Sequence, residues 1–360
     1  MTNLKNKNSV PKIETQSLIL KLLSRHQETH NIVSFEMAVT TENGKPFRHY
    51  PGQAVAIALP LPQREAFRTF TIASGTPDSD RIVLTVKAGK DADATAYMHN
   101  HLAVGDTIKG QGPFGNFSLV SHPKKPLLLI GAGSGLTPML SCLRWLHQRR
   151  EGNTDVICLQ QASTPSDILC REELMTMNTR LPKLTYLDWV SHIPNNEHWS
   201  GLKGRITLDK LQSAVPDITQ RTVLCCGPQK FTETMQSIYK DLGGDECDFL
   251  TESFTQKPLQ SITAEVSESD DKEFVIELDD SQFTANNNES IMSAAARAGV
   301  IIPSACRAGA CGTCKLKVLG GHTSMNQNGG LSVKEESQNY NLGCSTTARS
   351  NLILSSHIVE

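Results

Sequence analysis

Four cysteines near the C-terminus decide how this chain is organised: Cys306-Arg-Ala-Gly-Ala-Cys311-Gly-Thr-Cys314, followed thirty residues later by Cys344. This C-x4-C-x2-C…C spacing is typical of the four thiolate ligands of a [2Fe–2S] cluster. The small residues between the ligands let backbone N–H groups point at sulfur, and such hydrogen bonds help to set the reduction potential. The motif therefore predicts a cluster held by Cys306, Cys311, Cys314 and Cys344.

Two other roles compete for these cysteines. A disulfide framework belongs to an oxidising compartment, and the polar N-terminus, Met1-Thr-Asn-Leu-Lys-Asn-Lys-Asn-Ser9, has no apolar stretch suited to a secretory signal. A zinc site usually has two C-x2-C pairs, whereas this chain has one, at 311–314. The iron–sulfur interpretation is favoured over both.

The residues around the cysteine loop extend this interpretation to a domain. Ser290-Ile-Met-Ser-Ala-Ala-Ala-Arg-Ala-Gly299 predicts a short amphipathic helix, and alternating apolar residues at 274–278 and 315–318 predict flanking strands. Together with Leu342-Gly-Cys344, the stretch resembles a plant-type ferredoxin. The resemblance implies an α+β (β-grasp) domain at residues 273–360.

An acidic, polar stretch precedes this domain. Residues 255–272 lose apolar periodicity and gather Ser, Thr, Gln and Pro, which indicates an interdomain linker. Residues 265–289 contain nine acidic residues and one basic residue, Lys272. Such a run is usually a solvated face, and alternatively it guides the encounter with a basic partner protein.

A strand, a glycine-rich turn and a helix follow one another in the middle of the chain. Leu127-Leu-Leu-Ile130 leads into Gly131-Ala-Gly-Ser-Gly-Leu-Thr-Pro138 and then into the apolar run Met139-Leu-Ser-Cys-Leu-Arg-Trp-Leu146. Glycines allow backbone to approach a pyrophosphate, and the helix N-terminus offers free N–H groups to it. The G-x-G-x-G spacing departs from the G-x-G-x-x-G dinucleotide fingerprint, and a generic tight turn is the alternative.

An arginine and an aromatic ring share one face of a predicted strand in the N-terminal third. In Arg68-Thr-Phe-Thr-Ile-Ala-Ser74, alternation places Arg68 and Phe70 on one face and Thr69 and Thr71 on the other. A guanidinium beside a ring suits a ligand with a phosphate and a flat ring system. Short strands separated by Gly, Pro and Asp turns predict a small antiparallel barrel or sandwich around it.

This strand and the glycine loop resemble the ferredoxin–NADP reductase superfamily, whose flavin strand reads Arg-x-Tyr-Ser/Thr. The resemblance implies that Arg68 binds the flavin pyrophosphate, that Phe70 packs at the isoalloxazine and that Thr71 lies near flavin N5. Phe70 stands where the family usually has Tyr, and Asp93-Ala94 replaces the glycine pair that precedes the matched phosphate-binding residue, Thr95. The implied flavin-binding residues are Arg68, Thr69, Phe70, Thr71, Val86, Lys87 and Thr95.

The same resemblance implies a pyridine-nucleotide site. Cys226 would lie beside the nicotinamide, Glu252 and Phe254 near the flavin edge, and Thr71 and Cys226 would position the two reacting atoms. Ser163 occupies a position where many relatives have Arg, and Arg171 is the alternative contact for a 2′-phosphate, so NADH and NADPH both stay open. The implied nucleotide-binding residues are Gly131, Gly133, Gly135, Thr137, Pro138, Cys226, Gly227 and Pro228.

Length and composition fit this organisation. A chain of 360 residues suits two or three domains, and 38% apolar with 20% charged residues is typical of a soluble globular protein. A net charge of −2 gives no reason to expect nucleic acid or an anionic membrane as partner, and no apolar run approaches the length of a membrane span. Ten cysteines without a secretory signal predict a cytoplasmic protein. We predict a polar leader at 1–12, an FAD-binding antiparallel β-barrel at 13–120, an NAD(P)-binding α/β domain at 121–254, a linker at 255–272 and the ferredoxin domain at 273–360.

Together these segments predict an NAD(P)H oxidoreductase. NADH or NADPH would deliver a hydride to FAD, with FMN as the alternative flavin, and electrons would pass singly to the cluster and then to a partner redox protein. The domain order resembles that of hybrid-cluster-protein reductases, which makes hybrid cluster protein the first expected acceptor. The reductase component of a Rieske or di-iron monooxygenase, as in betaine demethylation, is the second. A diaphorase that reduces small acceptors and a non-catalytic iron–sulfur redox sensor are further alternatives.

Overall fold

A computed structural model of the protein describes residues 13–61, 64–75, 80–89, 93–115, 117–121, 125–149, 153–195, 197–252, 254, 272–300, 302, 309, 312, 314–326, 330–331 and 333–356. The chain divides into two compact units, Met1–Thr255 and Gln256–Glu360. The first unit holds an antiparallel sheet and a parallel α/β sheet; the second holds a mixed sheet. Two of the four predicted cluster ligands, Cys306 and Cys311, lie outside the described residues.

The antiparallel sheet of the first unit nearly closes into a barrel. Its strands follow the order β4-β3-β6-β1-β2-β5, and a bridge between Ile72 and Leu84 joins its two outer strands. Leu18, Leu20 and Leu22 alternate with more exposed residues along β1, as a half-buried strand requires. The elements are β1 Gln16–Thr29, β2 Ile32–Thr41, β3 Ala54–Leu61, β4 Arg64–Thr71, β5 Arg81–Lys87, α1 Asp93–Asn100 and β6 Thr107–Phe114.

The second sheet of this unit is parallel, in the order β10-β9-β8-β7-β11-β12. Strand order reverses between β7 and β11, and in such sheets ligands bind beyond the carboxyl ends of the strands at this point. The elements are β7 Leu127–Ala132, α2 Thr137–Gln148, β8 Val156–Ala162, α3 Arg171–Arg180, β9 Leu184–Val190, β10 Leu202–Lys203, α4 Leu208–Ala214, β11 Thr222–Cys226, α5 Gln229–Asp241 and β12 Phe249–Glu252.

The second unit is an α+β domain built on a five-stranded sheet of order β14-β13-β19-β15-β17. Its short helix α6 begins after Ser290, whose hydroxyl accepts a hydrogen bond from the Ser293 N–H at 3.1 Å, and buries Ile291, Ala294 and Ala295. The elements are β13 Glu273–Leu278, β14 Ser281–Asn286, α6 Ile291–Arg297, β15 Lys315–Gly320, β16 Thr323–Met325, α7 Val333–Ser337, β17 Tyr340–Leu342, β18 Thr346–Ala348 and β19 Leu352–Ser355.

The predicted multidomain architecture is confirmed: an antiparallel β-barrel, a parallel α/β sheet and a C-terminal α+β domain follow in the predicted order. Among the described residues, no helix combines the length and apolarity needed to cross a membrane.

Candidate functional site

The glycine-rich loop lies at the switch point of the parallel sheet. β7 ends in a 3-10 turn at Gly133–Leu136, and α2 follows with Pro138 in its first turn and the Thr137 hydroxyl donating to the Ser134 carbonyl at 2.9 Å. A Cβ atom at Gly135 would lie 2.4 Å from the carbonyl oxygen of Cys226, which no side chain tolerates. The predicted pyrophosphate loop therefore packs directly on the predicted nicotinamide strand.

A lysine from the barrel reaches this loop. Lys87 is the last residue of β5, and its Nζ lies 3.9 Å from the position that a Cβ atom of Gly133 would occupy. Gly133 has a φ of +57°, which favours glycine. An ammonium group beside a helix N-terminus favours an anionic ligand such as a pyrophosphate. Val86, the residue before Lys87, is buried in the barrel core.

Cys226 ends β11 fully buried, in register with Glu252 on the adjacent strand β12. Burial, followed by the neighbouring Glu252 carboxyl, raises the pKa of the Cys226 thiol well above its usual value. The group is therefore a neutral thiol and not a nucleophile, because nucleophilic chemistry needs the thiolate. Gly227 and Pro228 follow it, and a Cβ atom at Gly227 would lie 2.9 Å from both Ala132 and Phe231.

Glu252 is a carboxyl group held away from water at the same edge. Burial raises its pKa to about 8, so the group is largely protonated at neutral pH and can donate a hydrogen bond. Its Oε2 atom is shielded from solvent and has no hydrogen-bond partner among the described residues. Phe254, two residues later, is 43% exposed. An unpaired buried carboxyl and an exposed ring fit the edge of a bound flavin.

The predicted flavin strand is β4, which pairs with β3 through Thr71 and Ala54. Thr71 is 5% exposed, and the hydroxyls of Thr69 and Thr71 are buried without a hydrogen-bond partner among the described residues. Phe70 is half-buried against the barrel core, and Arg68 is also half-buried. Buried hydroxyls are rarely left unpaired, so this strand fits a ligand that brings its own polar atoms.

Thr95 lies in the first turn of α1, close to the end of β5. Its hydroxyl accepts a hydrogen bond from the Gly89 N–H at 3.0 Å. The structure therefore places the predicted phosphate contact on a helix that the sequence did not predict. Negative charge is stabilised near a helix N-terminus, in keeping with the role expected of Thr95.

In the second unit, the two described cysteines of the motif lie at the same end of its sheet. Cys314 is 2% exposed and precedes β15, while Cys344 follows β17, which pairs with β15. The Gly343 N–H donates to the Cys314 carbonyl at 2.8 Å, and the Gly309 N–H donates to Cys344 Sγ at 3.2 Å. An amide that points at sulfur is the arrangement that a cluster thiolate uses, so these residues fit a [2Fe–2S] cluster.

Arg171, which the sequence offers as the alternative 2′-phosphate contact, is already paired in the structure. Arg171 donates to Asp188 at 2.7 Å, and its guanidinium carbon lies 5.1 Å from the ring centroid of Trp199. Ser163 follows β8, where its carbonyl accepts a hydrogen bond from the His192 N–H at 2.8 Å. The guanidinium of Arg171 is therefore already paired with a carboxylate in the structure.

Sequence reasoning did not identify a group of residues that joins the barrel to helix α2. Arg144 and Ser141 on α2 hydrogen-bond to the chain just beyond the flavin strand. One signal was available: Arg144 is the only charged residue in the apolar run 139–146. A charge on the buried face of a helix requires a partner, but the sequence does not name it.

Domain-family models match three stretches of the chain. They are the oxidoreductase FAD-binding domain at residues 19–119, the oxidoreductase NAD-binding domain at 129–237 and the 2Fe-2S iron–sulfur cluster binding domain at 275–349. The matches follow the predicted order and confirm the predicted cofactors: FAD, a pyridine nucleotide and a [2Fe–2S] cluster.

Several curated proteins are similar over nearly the whole chain. The stachydrine N-demethylase reductase subunit Stc4 of Rhizobium meliloti is 33% identical over 330 residues, which cover 90% of this chain and 92% of the relative. The glycine betaine monooxygenase reductase subunit of Chromohalobacter salexigens is 30% identical over 348 residues (91% and 92%). The NADH oxidoreductase HCR of Escherichia coli is 29% identical over 308 residues (85% and 89%).

A solved structure shares the fold at lower identity. Phthalate dioxygenase reductase, described as a modular structure for electron transfer from pyridine nucleotides to [2Fe–2S], is 21% identical. The match has a TM-score of 0.58 and covers 94% of this chain and 98% of that one.

Proposed function

The chain belongs to the family of oxidoreductases that join FAD-binding, NAD-binding and [2Fe–2S] domains as reductase components, and from this we propose that it supplies electrons to a monooxygenase component. One observation carries the proposal. Two relatives at 30% identity or above, each covered over 92% of its length, are both named as reductase subunits, one of stachydrine N-demethylase and one of glycine betaine monooxygenase. The proposed acceptor is therefore an oxygenase, of the Rieske or di-iron type, whose substrate is a quaternary ammonium compound.

FAD, when bound, would supply the conversion of a two-electron hydride donor into single electrons for the cluster. We assign the chain's own residues to binding and orientation. Arg68 would pair with the flavin pyrophosphate, and the unpaired Thr71 hydroxyl would hydrogen-bond near the flavin N5 atom. The neutral Cys226 thiol and Gly227 would shape the nicotinamide pocket, and the loop at Gly135 would hold the pyrophosphate.

The proposed donor is NADH. A 2′-phosphate carries extra negative charge and is normally bound by an arginine or lysine. Ser163 offers no charge, and Arg171 is already hydrogen-bonded to Asp188 and stacked on Trp199. A 2′-phosphate at this position would compete with the Asp188 carboxylate, so we expect NADPH to bind more weakly than NADH.

Hybrid cluster protein, the acceptor first expected from the domain order, becomes the second candidate. The Escherichia coli relative named NADH oxidoreductase HCR supports it, at lower identity and over a shorter stretch than the two monooxygenase reductase subunits. Different experiments test the two acceptors. An oxygenase consumes dioxygen and its organic substrate, whereas the reduction of hybrid cluster protein can be followed anaerobically.

The test begins with the purified holoprotein under anaerobic conditions. NADH should bleach the flavin absorption and then produce the electron paramagnetic resonance signal of a reduced [2Fe–2S] cluster. In air, adding an oxygenase component with glycine betaine or stachydrine should then accelerate NADH oxidation. The substrate should lose an N-methyl group. Reduction of hybrid cluster protein but not of the oxygenase would replace the proposed acceptor. A protein that binds no flavin, or a flavin that NADH does not reduce, would overturn the reductase assignment and favour a redox sensor.

A further inference from the structure

Helix α2 lies directly against the chain that leaves the flavin strand. The Ser141 hydroxyl, fully buried, donates to the Ser74 carbonyl at 3.1 Å and accepts a hydrogen bond from the Gly52 N–H at 3.0 Å. A Cβ atom at Gly75 would lie 2.2 Å from the backbone nitrogen of Trp145. The barrel and the helix therefore touch backbone to backbone, and side chains on α2 can set their separation.

Arg144 is the charged residue at this contact, and its side chain is 16% exposed. It donates from Nε and Nη2 to the two carboxylate oxygens of Glu173 at 2.8 and 2.7 Å, and from Nη1 to the Ala73 carbonyl at 2.9 Å. A bidentate pair with a carboxylate fixes the plane of the guanidinium, which fixes the direction of its third hydrogen bond. Glu173 thus aims Arg144 at Ala73, just beyond the flavin strand.

The same group of contacts continues into the barrel. Arg144 Nη2 lies 3.9 Å from the Cys170 sulfur, and the Cys170 thiol donates to Glu28 at 3.3 Å. Burial, followed by Glu28, raises the pKa of Cys170, so the thiol keeps the proton that it donates. Glu28 also accepts a hydrogen bond from the Ser34 hydroxyl at 2.6 Å. Arg144 is therefore tied directly to the chain just beyond β4 and, through Cys170, to Glu28 in β1.

The two residues of this contact, Ala73 and Arg144, lie close in sequence to the predicted flavin site and the predicted nucleotide site. Ala73 lies two residues beyond Thr71, which is assigned to the flavin ring. Arg144 lies two helical turns beyond Thr137, where α2 begins directly after the glycine loop. A rigid helix transmits a displacement along its axis, so a change at Arg144 moves the nucleotide loop relative to the flavin strand.

We propose that Arg144 is a positioning residue for hydride transfer, which holds the flavin strand and the nucleotide loop at their reactive separation through Ala73, Glu173 and α2. In this role it acts through these residues and not by contact with substrate or cofactor. The inference rests on the proposed binding of flavin at β4 and of NADH at the glycine loop. A misplacement of about 1 Å between reacting atoms costs up to ~100-fold in rate, which sets the scale of the expected effect.

Arg221 provides a matched control in the same unit. It is 5% exposed, pairs with Asp217 at 2.9 and 2.8 Å and with Asp155 at 2.7 Å, and donates to the Leu127 carbonyl at 3.2 Å. Like Arg144 it joins carboxylate contacts to a backbone carbonyl, although Arg221 contacts two carboxylates and Arg144 contacts one. It lies at the opposite, amino-terminal ends of β7 and β11, so its loss should destabilise the fold without moving the reactants.

The Arg144→Gln variant is expected to fold, because a groove of about 420 Å³ beside Arg144, Glu173 and Glu28 allows water to replace the guanidinium. In the flavin-loaded holoprotein, anaerobic stopped-flow flavin reduction at saturating NADH should slow about 10- to 100-fold. The dissociation constant for NADH should change by less than about threefold, since the nucleotide contacts remain. The deuterium isotope effect with 4-deuterated NADH should rise, and the nicotinamide–flavin charge-transfer absorption should weaken.

Arg221→Gln should lower the melting temperature while leaving the rate of flavin reduction within about twofold of the native protein. Equal slowing in Arg221→Gln would overturn the positioning role, as would a native rate and isotope effect in Arg144→Gln. Where Arg144→Gln retains no flavin, Glu173→Gln tests the same idea. It keeps the guanidinium but loses its orientation, and a native rate in this variant also overturns the proposal. If NADH does not reduce the flavin of the native protein, the proposed function is contradicted instead.

Discussion

Cys226 and Glu252 lie side by side at the carboxyl ends of two parallel strands, where burial raises the pKa of the Glu252 carboxyl to about 8. The pair puts a neutral thiol and a protonated carboxyl at the predicted meeting point of nicotinamide and flavin. Both groups are uncharged at neutral pH, so the pocket favours a flat, uncharged ring over an ion.

Glu252 should make the folded protein less stable as the pH rises. Its folded pKa is raised above the unfolded value near 4.5, so between these values the folded state keeps a proton that the unfolded state releases. Stability should therefore fall as pH rises through this window, by about 1 kcal/mol per pH unit for one group. Thermal unfolding of the native protein and Glu252→Gln at several pH values checks this, because the variant should lose that slope. Infrared spectroscopy should also show a protonated carboxyl band that titrates near pH 8 and is absent from the variant. Identical pH slopes and spectra would contradict the assignment.

Cys226 and its neighbour Cys225 offer a pair of matched substitutions. Both are fully buried, but Cys226 packs on the α2 side of the sheet and Cys225 on the α5 side. Cys226→Ala should slow flavin reduction by roughly tenfold, because the nicotinamide loses one wall of its pocket. Cys225→Ala should cost about 1–2 kcal/mol of stability through the lost packing and leave the rate unchanged. Stopped-flow kinetics and thermal unfolding of both variants provide the comparison. A rate loss confined to Cys225→Ala would mean that Cys225, and not Cys226, forms the wall of the nicotinamide pocket.

Much of the fold follows from short-range patterns in the sequence. The composition of residues 18–23 is typical of a strand, in keeping with β1, and the glycines before Pro138 predict a strand, a turn and a helix where β7 and α2 lie. Helix α1 was not predicted. Its apolar residues Ala94, Tyr97 and Met98 follow helical spacing, but over eight residues such a signal is weak.

The contacts between the barrel and α2 could not be predicted in the same way. Arg144 and Ala73 are 71 residues apart, and nothing in either local pattern refers to the other. The bidentate partner, Glu173, comes from a different helix again. Such pairings are set by the packing of whole elements, so the site's residue types could be predicted whereas the network that orients them could not.

Gly135 should be intolerant of any side chain. The Gly135→Ala methyl group would lie 2.4 Å from the Cys226 carbonyl oxygen, so the loop must move away from β11. We expect KM for NADH to rise at least about tenfold, because the pyrophosphate and the nicotinamide could no longer bind at once in their native geometry. Steady-state kinetics with a small electron acceptor measures this. Gly320→Ala is the control, since its methyl group would make ordinary contacts of 3.5 Å with Ile353. A native KM in Gly135→Ala would remove the loop from the nucleotide site.

The cluster should be separable from the flavin chemistry. Cys344→Ser removes the thiolate that accepts the Gly309 N–H hydrogen bond, so the [2Fe–2S] absorption and the transfer of electrons to the partner protein should be lost. NADH should still bleach the flavin at the native rate, because the proposed flavin and nucleotide residues lie in the other compact unit. Cys247→Ser, which changes an exposed cysteine of that other unit, should keep both the cluster and the activity. Iron and sulfide analysis, visible spectroscopy and stopped-flow reduction distinguish these outcomes. A full cluster in Cys344→Ser would remove this residue from the ligand set, and loss of flavin reduction together with the cluster would mean that the cluster also stabilises the flavin-bearing unit.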